Sequence, residues 1–153
     1  MSASSAVMLP YALSSVAIAR QRLYSDLLAD GVLPDSIDDA VLVVSELLSN
    51  ALRHAHPLPS GKIGVSWRRI DGYVEVAVSD GGAATEPRAG RAALSSLGGR
   101  GLGIVEFLAE RWGVRHDGET TTVWAVLPCV PASSANGAAP FSVAEVPALR
   151  DCG

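Results

Sequence analysis

"SELLSNALRHA", residues 45–55, carries two stripes on one helical cylinder. Val41, Val44, Leu48 and Ala51 recur at spacings of three and four, the pattern of a face turned to a core. Glu46, Asn50 and His54 follow at i, i+4 and i+8, so a carboxylate, an amide and an imidazole line up one turn apart. Such a row on an apolar helix either meets solvent or lines the boundary of a pocket. In the pocket reading, Asn50 offers a neutral carbonyl oxygen to Mg²⁺, a hard cation that prefers oxygen and keeps several waters. Glu46 is then a candidate general base for a nearby hydroxyl or water. Arg53 lies near the same side and is a candidate for phosphate oxygens. His54 reads as a structural partner of the helix.

The helix opens at Pro34, Asp35 and Ser36, good starting residues, and ends near His56 and Pro57, because a residue before proline avoids the helical region. Upstream, "YALSSVAIARQRLYSDLLAD" places Val16, Ala19, Leu23 and Leu27 at helical spacing, with Gly31 as its stop. Downstream the period changes to two. "KIGVSWRRI" alternates Ile63, Val65 and Trp67 against polar or small residues, and "YVEVAVSD" alternates Val74, Val76 and Val78. Asp71-Gly72 between them is a hairpin signal. From Gly81 to Gly103 no period survives, which reads as a long, mobile, functional loop. "GIVEFLAERWG", residues 103–113, resumes helical spacing through Ile104, Phe107, Leu108 and Trp112, with Gly113 as its stop. "VRHDG" and "TTTVWAVLP" read as a closing hairpin, within which His116 carries no metal-ligand pattern.

The order helix, helix, strand, strand, loop, helix, strand, strand predicts an α+β fold. It is a two-layer α/β sandwich with helices on one face of a mostly antiparallel sheet. Residues 1–128 form the domain, and the Pro-, Ala-, Ser- and Gly-rich stretch 129–153 is expected to be a disordered tail.

Composition narrows the function classes. A chain of 153 residues with 48% hydrophobic residues suits one globular domain. Its net charge of −4 leaves no basic footprint for direct nucleic-acid binding. No apolar stretch reaches the roughly 18 residues of a membrane span, and no basic segment followed by an apolar run suggests a secretory signal. A cytoplasmic protein is expected. Cys129 and Cys152 lack metal or redox spacing.

Two further stretches carry chemistry. "VSDGG", residues 78–82, ends a strand on a carboxylate and two glycines. Asp80 there suits an exocyclic amine such as adenine's, and Gly82 permits close approach of a ring to the backbone. "GGRGLGIVEFL", residues 98–108, runs from glycines straight into a helix start, an anion site of free backbone N–H groups. It is neither a Walker loop, for want of Gly-Lys-Ser/Thr, nor a Rossmann fingerprint, for want of a strand feeding it.

Taken in order, these stretches resemble the GHKL ATPase superfamily, the gyrase, Hsp90, histidine-kinase and MutL type of ATP site. "ELLSNALRHA" is similar to the N box, "SDGGA" to the G1 box, "GRGLG" to the G2 box and "TTVWAVLP" to the closing strand. The resemblance covers residues 10 to 128 and implies a Bergerat-type fold binding ATP and Mg²⁺. It assigns Glu46 the catalytic position and Asn50 the metal position. Asp80 and Thr122 would read adenine beside Gly82, and Gly99, Arg100, Gly101, Leu102 and Gly103 would cradle phosphates. The form of the N box and the "W.V" after the G2 helix are most similar to the stand-alone anti-sigma factor kinases of actinobacteria. That group implies phosphorylation of a serine or threonine on an anti-anti-sigma partner and sequestration of a sigma factor, with a homodimer compatible. Ala84 departs from the G1 box, where a glycine is usual. An alternative is a module that regulates a partner by binding alone, without turnover. A detached histidine-kinase catalytic domain ranks last, since no His precedes the N-box helix.

Overall fold

Alternating residues on five strands supply one face of the core, and the structure, a computed structural model, describes them within residues 4–82 and 102–132. The elements are β1 (Ser4–Pro10), α1 (Ser14–Ala29), α2 (Pro34–His54), β2 (Lys62–Ile70), β3 (Tyr73–Asp80), α3 (Gly103–Leu108), β4 (Arg111–Asp117) and β5 (Thr120–Pro128). The strands form one sheet in the order β1-β2-β3-β5-β4, and every neighbouring pair is antiparallel. Val7 and Leu9, Ile63, Val65 and Trp67, Val74, Val76 and Val78, and Val123, Ala125 and Leu127 point to one side. There they join Ala19, Leu23 and Leu27 of α1 and Ile37, Ala40, Val44 and Leu48 of α2 in a single core. This is the expected two-layer α+β sandwich, and burial of those apolar side chains is what holds the layers together.

The core stripe of α2 is as the spacing predicts: Val44, Leu48 and Ala51 are buried and Val41 partly so. Pro34 stands at the helix start, where its missing N–H costs nothing. On α1, Ala19, Leu23 and Leu27 are buried, and Gly31 follows with φ +81°.

Two elements differ from the sequence expectation. The chain begins with a strand, β1, that no period announced. Val7 and Leu9 face the core, but Ala6 and Met8 between them are also apolar, so the alternation is masked in the sequence. The last helix stops at Leu108 rather than running to Gly113: Ala109 is extended, at φ −89° and ψ 146°, and β4 begins at Arg111. The apparent stripe was misleading because Phe107 is 82% exposed and Trp112 packs from a strand, opposite Ala125. Gly113 is no helix stop. A Cβ there would lie 2.7 Å from the Trp124 ring, so glycine makes room for that indole across the strand pair.

Residues 129–132 remain tied to the domain. Cys129 N–H donates to the Gly72 carbonyl, Val130 N–H to Ser36 Oγ and Ala132 N–H to the Gly31 carbonyl. The remainder of the expected tail, residues 133–153 with Cys152, lies outside the described residues. Among the described residues, no helix is long and apolar enough to cross a membrane.

Candidate functional site

The C-terminal end of α2 meets the C-terminal end of β3 through their backbones. His56 N–H donates to the Gly82 carbonyl, and Gly81 N–H donates to the His56 carbonyl, both at 2.8 Å. The two segments lie so close that a Cβ on Gly81 would sit 2.2 Å from the Pro57 carbonyl oxygen. Gly82 follows with φ +100°, a conformation that side chains with a Cβ rarely adopt. The two glycines therefore join the N-box helix to the strand end that carries Asp80. Tyr11, just after β1, adds a third tie. Its hydroxyl donates to the carbonyls at the end of α2, those of Ala55 and Ala51. The Ala51 carbonyl also accepts the Ala55 N–H at 2.8 Å, so the tyrosine is an added donor at the helix end.

Asp80 is 4% exposed, and its Oδ1 accepts the Gly82 N–H at 2.7 Å. Burial pushes its carboxyl above the ordinary carboxylate value, against the Gly82 hydrogen bond and the nearby His116 and His56, which pull it down. Among the described residues no cation forms an ion pair with it. A buried carboxylate left with spare lone pairs is an acceptor waiting for a donor.

Asn50 is equally buried, at 6% exposure, and its Nδ2 has no hydrogen-bond partner among the described residues. An orphaned buried amide costs about 1–3 kcal/mol. The orphan N–H groups suit oxygens of phosphate or metal-bound water, and the amide carbonyl suits a hard cation, so the residue fits Mg²⁺ in chemistry. Glu46, one turn earlier, is half-buried, while Arg53 and His54 are exposed. The polar stripe thus runs along the border of the helix layer, with its middle member drawn inside.

Of the expected phosphate cradle, Gly99, Arg100 and Gly101 lie outside the described residues, as do Ala84 and nearly all of the expected long loop. Leu102 is buried in the core and Gly103 is exposed at the start of α3. Val105, one turn further on, joins the same core as α2.

The register of β3 on β5 changes one residue of the expected set. Asp80 lies opposite Thr121, while Thr122 lies opposite Ser79, and directly opposed residues share a face. Thr122 gives its hydroxyl to a 2.7 Å hydrogen bond with Ser79 on the outer face. Thr121 stands on the Asp80 face, where its Oγ1 meets His116 Nδ1 at 3.2 Å. The sequence assigns a site role to neither Thr121 nor His116, since a run of three threonines does not reveal which one faces inward and His116 carries no ligand pattern. The alternation of Val123, Ala125 and Leu127 is the signal that could have found Thr121.

The family model for the histidine kinase-like ATPase domain matches residues 9–127, and the chain belongs to that family. Its structural neighbours include the RsbU and RsbW domains of Rv1364c from Mycobacterium tuberculosis. That likeness has a TM-score of 0.63 at 22% identity, over 85% of this chain and 34% of the other. This chain therefore spans about a third of that neighbour's length. The histidine kinase AdeS of Acinetobacter baumannii is more distant, with a TM-score of 0.45 at 12% identity over 81% of this chain and 67% of the other. No curated protein matches the chain significantly.

Proposed function

We propose that the chain binds ATP at the junction of α2, α3 and the β3 end of the sheet, and acts as an anti-sigma factor serine/threonine kinase on an anti-anti-sigma partner. The observation that carries the reading is Asp80, a buried carboxylate with no cation partner among the described residues, at a strand end whose glycines pack against the N-box helix. Membership of the histidine kinase-like ATPase family supports ATP as the nucleotide. The RsbW domain within the Mycobacterium neighbour is in keeping with the sigma-regulator resemblance of the motifs.

In this reading Asp80 accepts the adenine amine, and Thr121, rather than Thr122, stands beside it. Asn50 would hold Mg²⁺, which when bound neutralises phosphate charge. Arg53, Leu102 and Gly103, with Gly99, Arg100 and Gly101, would bind the phosphates. Glu46 takes the proton from the acceptor hydroxyl as that oxygen bonds to the γ-phosphorus and ADP leaves. The rest of catalysis is positioning and charge stabilisation, as is general for phosphoryl transfer.

Glu46→Gln tests the kinase reading. Glutamine is nearly isosteric and the position is half-buried, so ATP affinity should persist. Phosphotransfer to the cognate partner should fall on the order of 10²–10⁴-fold, the usual worth of a positioned base. A wild type that binds ATP and a sigma factor but transfers phosphate to no candidate would instead make the chain a regulator by binding alone. Transfer by the variant at the wild-type rate would remove Glu46 as the base.

A further inference from the structure

Three side chains stand in one row across the inner face at the Asp80 end of the sheet. His116 on β4 is opposite Thr121 on β5, and Thr121 is opposite Asp80 on β3. His116 Nδ1 and Thr121 Oγ1 are 3.2 Å apart. Gly82 lies against that hydroxyl, since a Cβ built on it would stand 3.8 Å from Thr121 Oγ1, in van der Waals contact.

We infer that His116 is a positioning residue that sets the direction of the Thr121 hydroxyl and, through it, the fit of adenine beside Asp80. The inference rests on the adenine site proposed above. A hydroxyl has one proton and two lone pairs. Where Nδ1 is unprotonated, Thr121 spends its proton on the imidazole and offers only lone pairs next to the carboxylate. Two acceptors side by side then meet the base. Where the imidazole is protonated, Nδ1–H donates to Thr121 and the hydroxyl proton turns to the pocket. The site then presents an acceptor beside a donor. That is the complement of adenine's exocyclic amine and its neighbouring ring nitrogen N1. Protonation of the imidazole therefore switches the hydroxyl toward the adenine-reading direction.

Among the described residues, the charged or titratable groups around His116 are Asp80 from β3 and His56 from the segment after α2. Arg115 and Asp117 flank it on β4, and Glu119 is in the following turn. His56 is a second imidazole near Asp80, so it needs its own control.

The test is ADP affinity of the full chain and of His116→Phe, by calorimetry at about pH 5.5 and about pH 8, on either side of the histidine range. His116 is exposed, so the substitution leaves the core intact. Taking the ratio of the two proteins cancels the titration of ADP's own phosphates. The wild-type advantage should grow about three- to ten-fold on acidification, as a neutral contact becomes charge-assisted. The same growth should survive in a His56→Gln background and vanish with 1-deaza-ADP, which lacks the ring acceptor. A ratio that does not change with pH, with ADP still bound in an Asp80-dependent way, overturns the role of His116 and leaves the adenine site standing. Growth that persists with 1-deaza-ADP overturns it too, by showing a direct charge effect on Asp80. If ADP binds at neither pH, the adenine site falls and this inference with it.

Discussion

Asp80 carries a carboxyl whose charged form burial disfavours. Burial raises its carboxyl above the ordinary value of 3.8, so the folded chain holds this proton more tightly than the unfolded chain does. By linkage its contribution to stability is present at low pH, declines as pH rises above 3.8 toward the folded value, and is a full penalty beyond it. Asp80→Asn, which keeps an acceptor for the Gly82 N–H, should therefore raise the melting temperature at neutral pH and lose that advantage in acid. The same variant should weaken ATP binding by about 1.5–3 kcal/mol, roughly ten- to a hundred-fold, because a charge-assisted hydrogen bond becomes a neutral one. Melting curves against pH and calorimetry with ATP separate the two effects, and unchanged affinity in a folded variant would remove the adenine role. Gly81 is a second residue whose identity is set by contact. Gly81→Ala drives a Cβ into the Pro57 carbonyl, 2.2 Å away, with only backbone there to yield. It should cost stability on the order of 1–3 kcal/mol, the range for overpacking a tight site, read as a shift in urea midpoint.

The ties between elements explain how a site this distributed stays assembled. Tyr11 links the end of β1 to the last turn of α2, and Asp26 of α1 accepts from Ser5 Oγ of β1 at 2.9 Å and Trp67 Nε1 of β2 at 2.6 Å. Arg69 of β2 pairs with Asp30, just past α1, at 2.7 Å. The strand that the sequence period concealed is thus part of the frame of the N-box helix. Tyr11→Phe removes the hydroxyl and leaves the α2 carbonyls without that donor. It should destabilise the fold by about 0.5–1.5 kcal/mol. Burial, and the nearby Asp80, raise the Tyr11 hydroxyl pKa, so the tie stays protonated and intact through neutral pH. A variant as stable as the wild type would mean that water replaces the tie at no cost.

At the scale of the molecule, a ligand that joins α2 to the sheet end should act as a stabiliser of the whole fold. A nucleotide at about a hundred times its dissociation constant adds about 2.7 kcal/mol to a one-site protein. The increment from Mg-ATP over metal-free ATP should pass through Asn50, whose buried Nδ2 has no partner among the described residues. Asn50→Ala should therefore shrink the Mg²⁺-dependent part of the ATP thermal shift more than the metal-free part. Equal losses with and without Mg²⁺ would make Asn50 a structural residue only. Described in these terms, the α2 stripe is neither a solvated face nor plain core: Glu46 is half-buried, Asn50 is buried and His54 is exposed.

The sequence by itself determined the α/β layering, the α2 core stripe, the β2–β3 hairpin and the placing of Asp80 at a strand end, because each is written in local spacing. Val44, Leu48 and Ala51 repeat with the helix, Val74, Val76 and Val78 with the strand, and neither pattern needs a distant partner to be read. The tertiary structure alone decided the features that depend on a neighbour. β1 exists because β2 offers it a ladder, and its own apolar residues fall on both faces. Trp112 leaves the helical period because Ala125 and the core receive it from a strand. Gly113 is set by the Trp124 ring, and Gly81 by the Pro57 carbonyl. Thr121, and not Thr122, stands beside Asp80 because β5 pairs with β3 in one register, and a slip of one residue would exchange their faces. Spacing along a chain specifies which residues share a face, and only the pairing of elements specifies what that face meets.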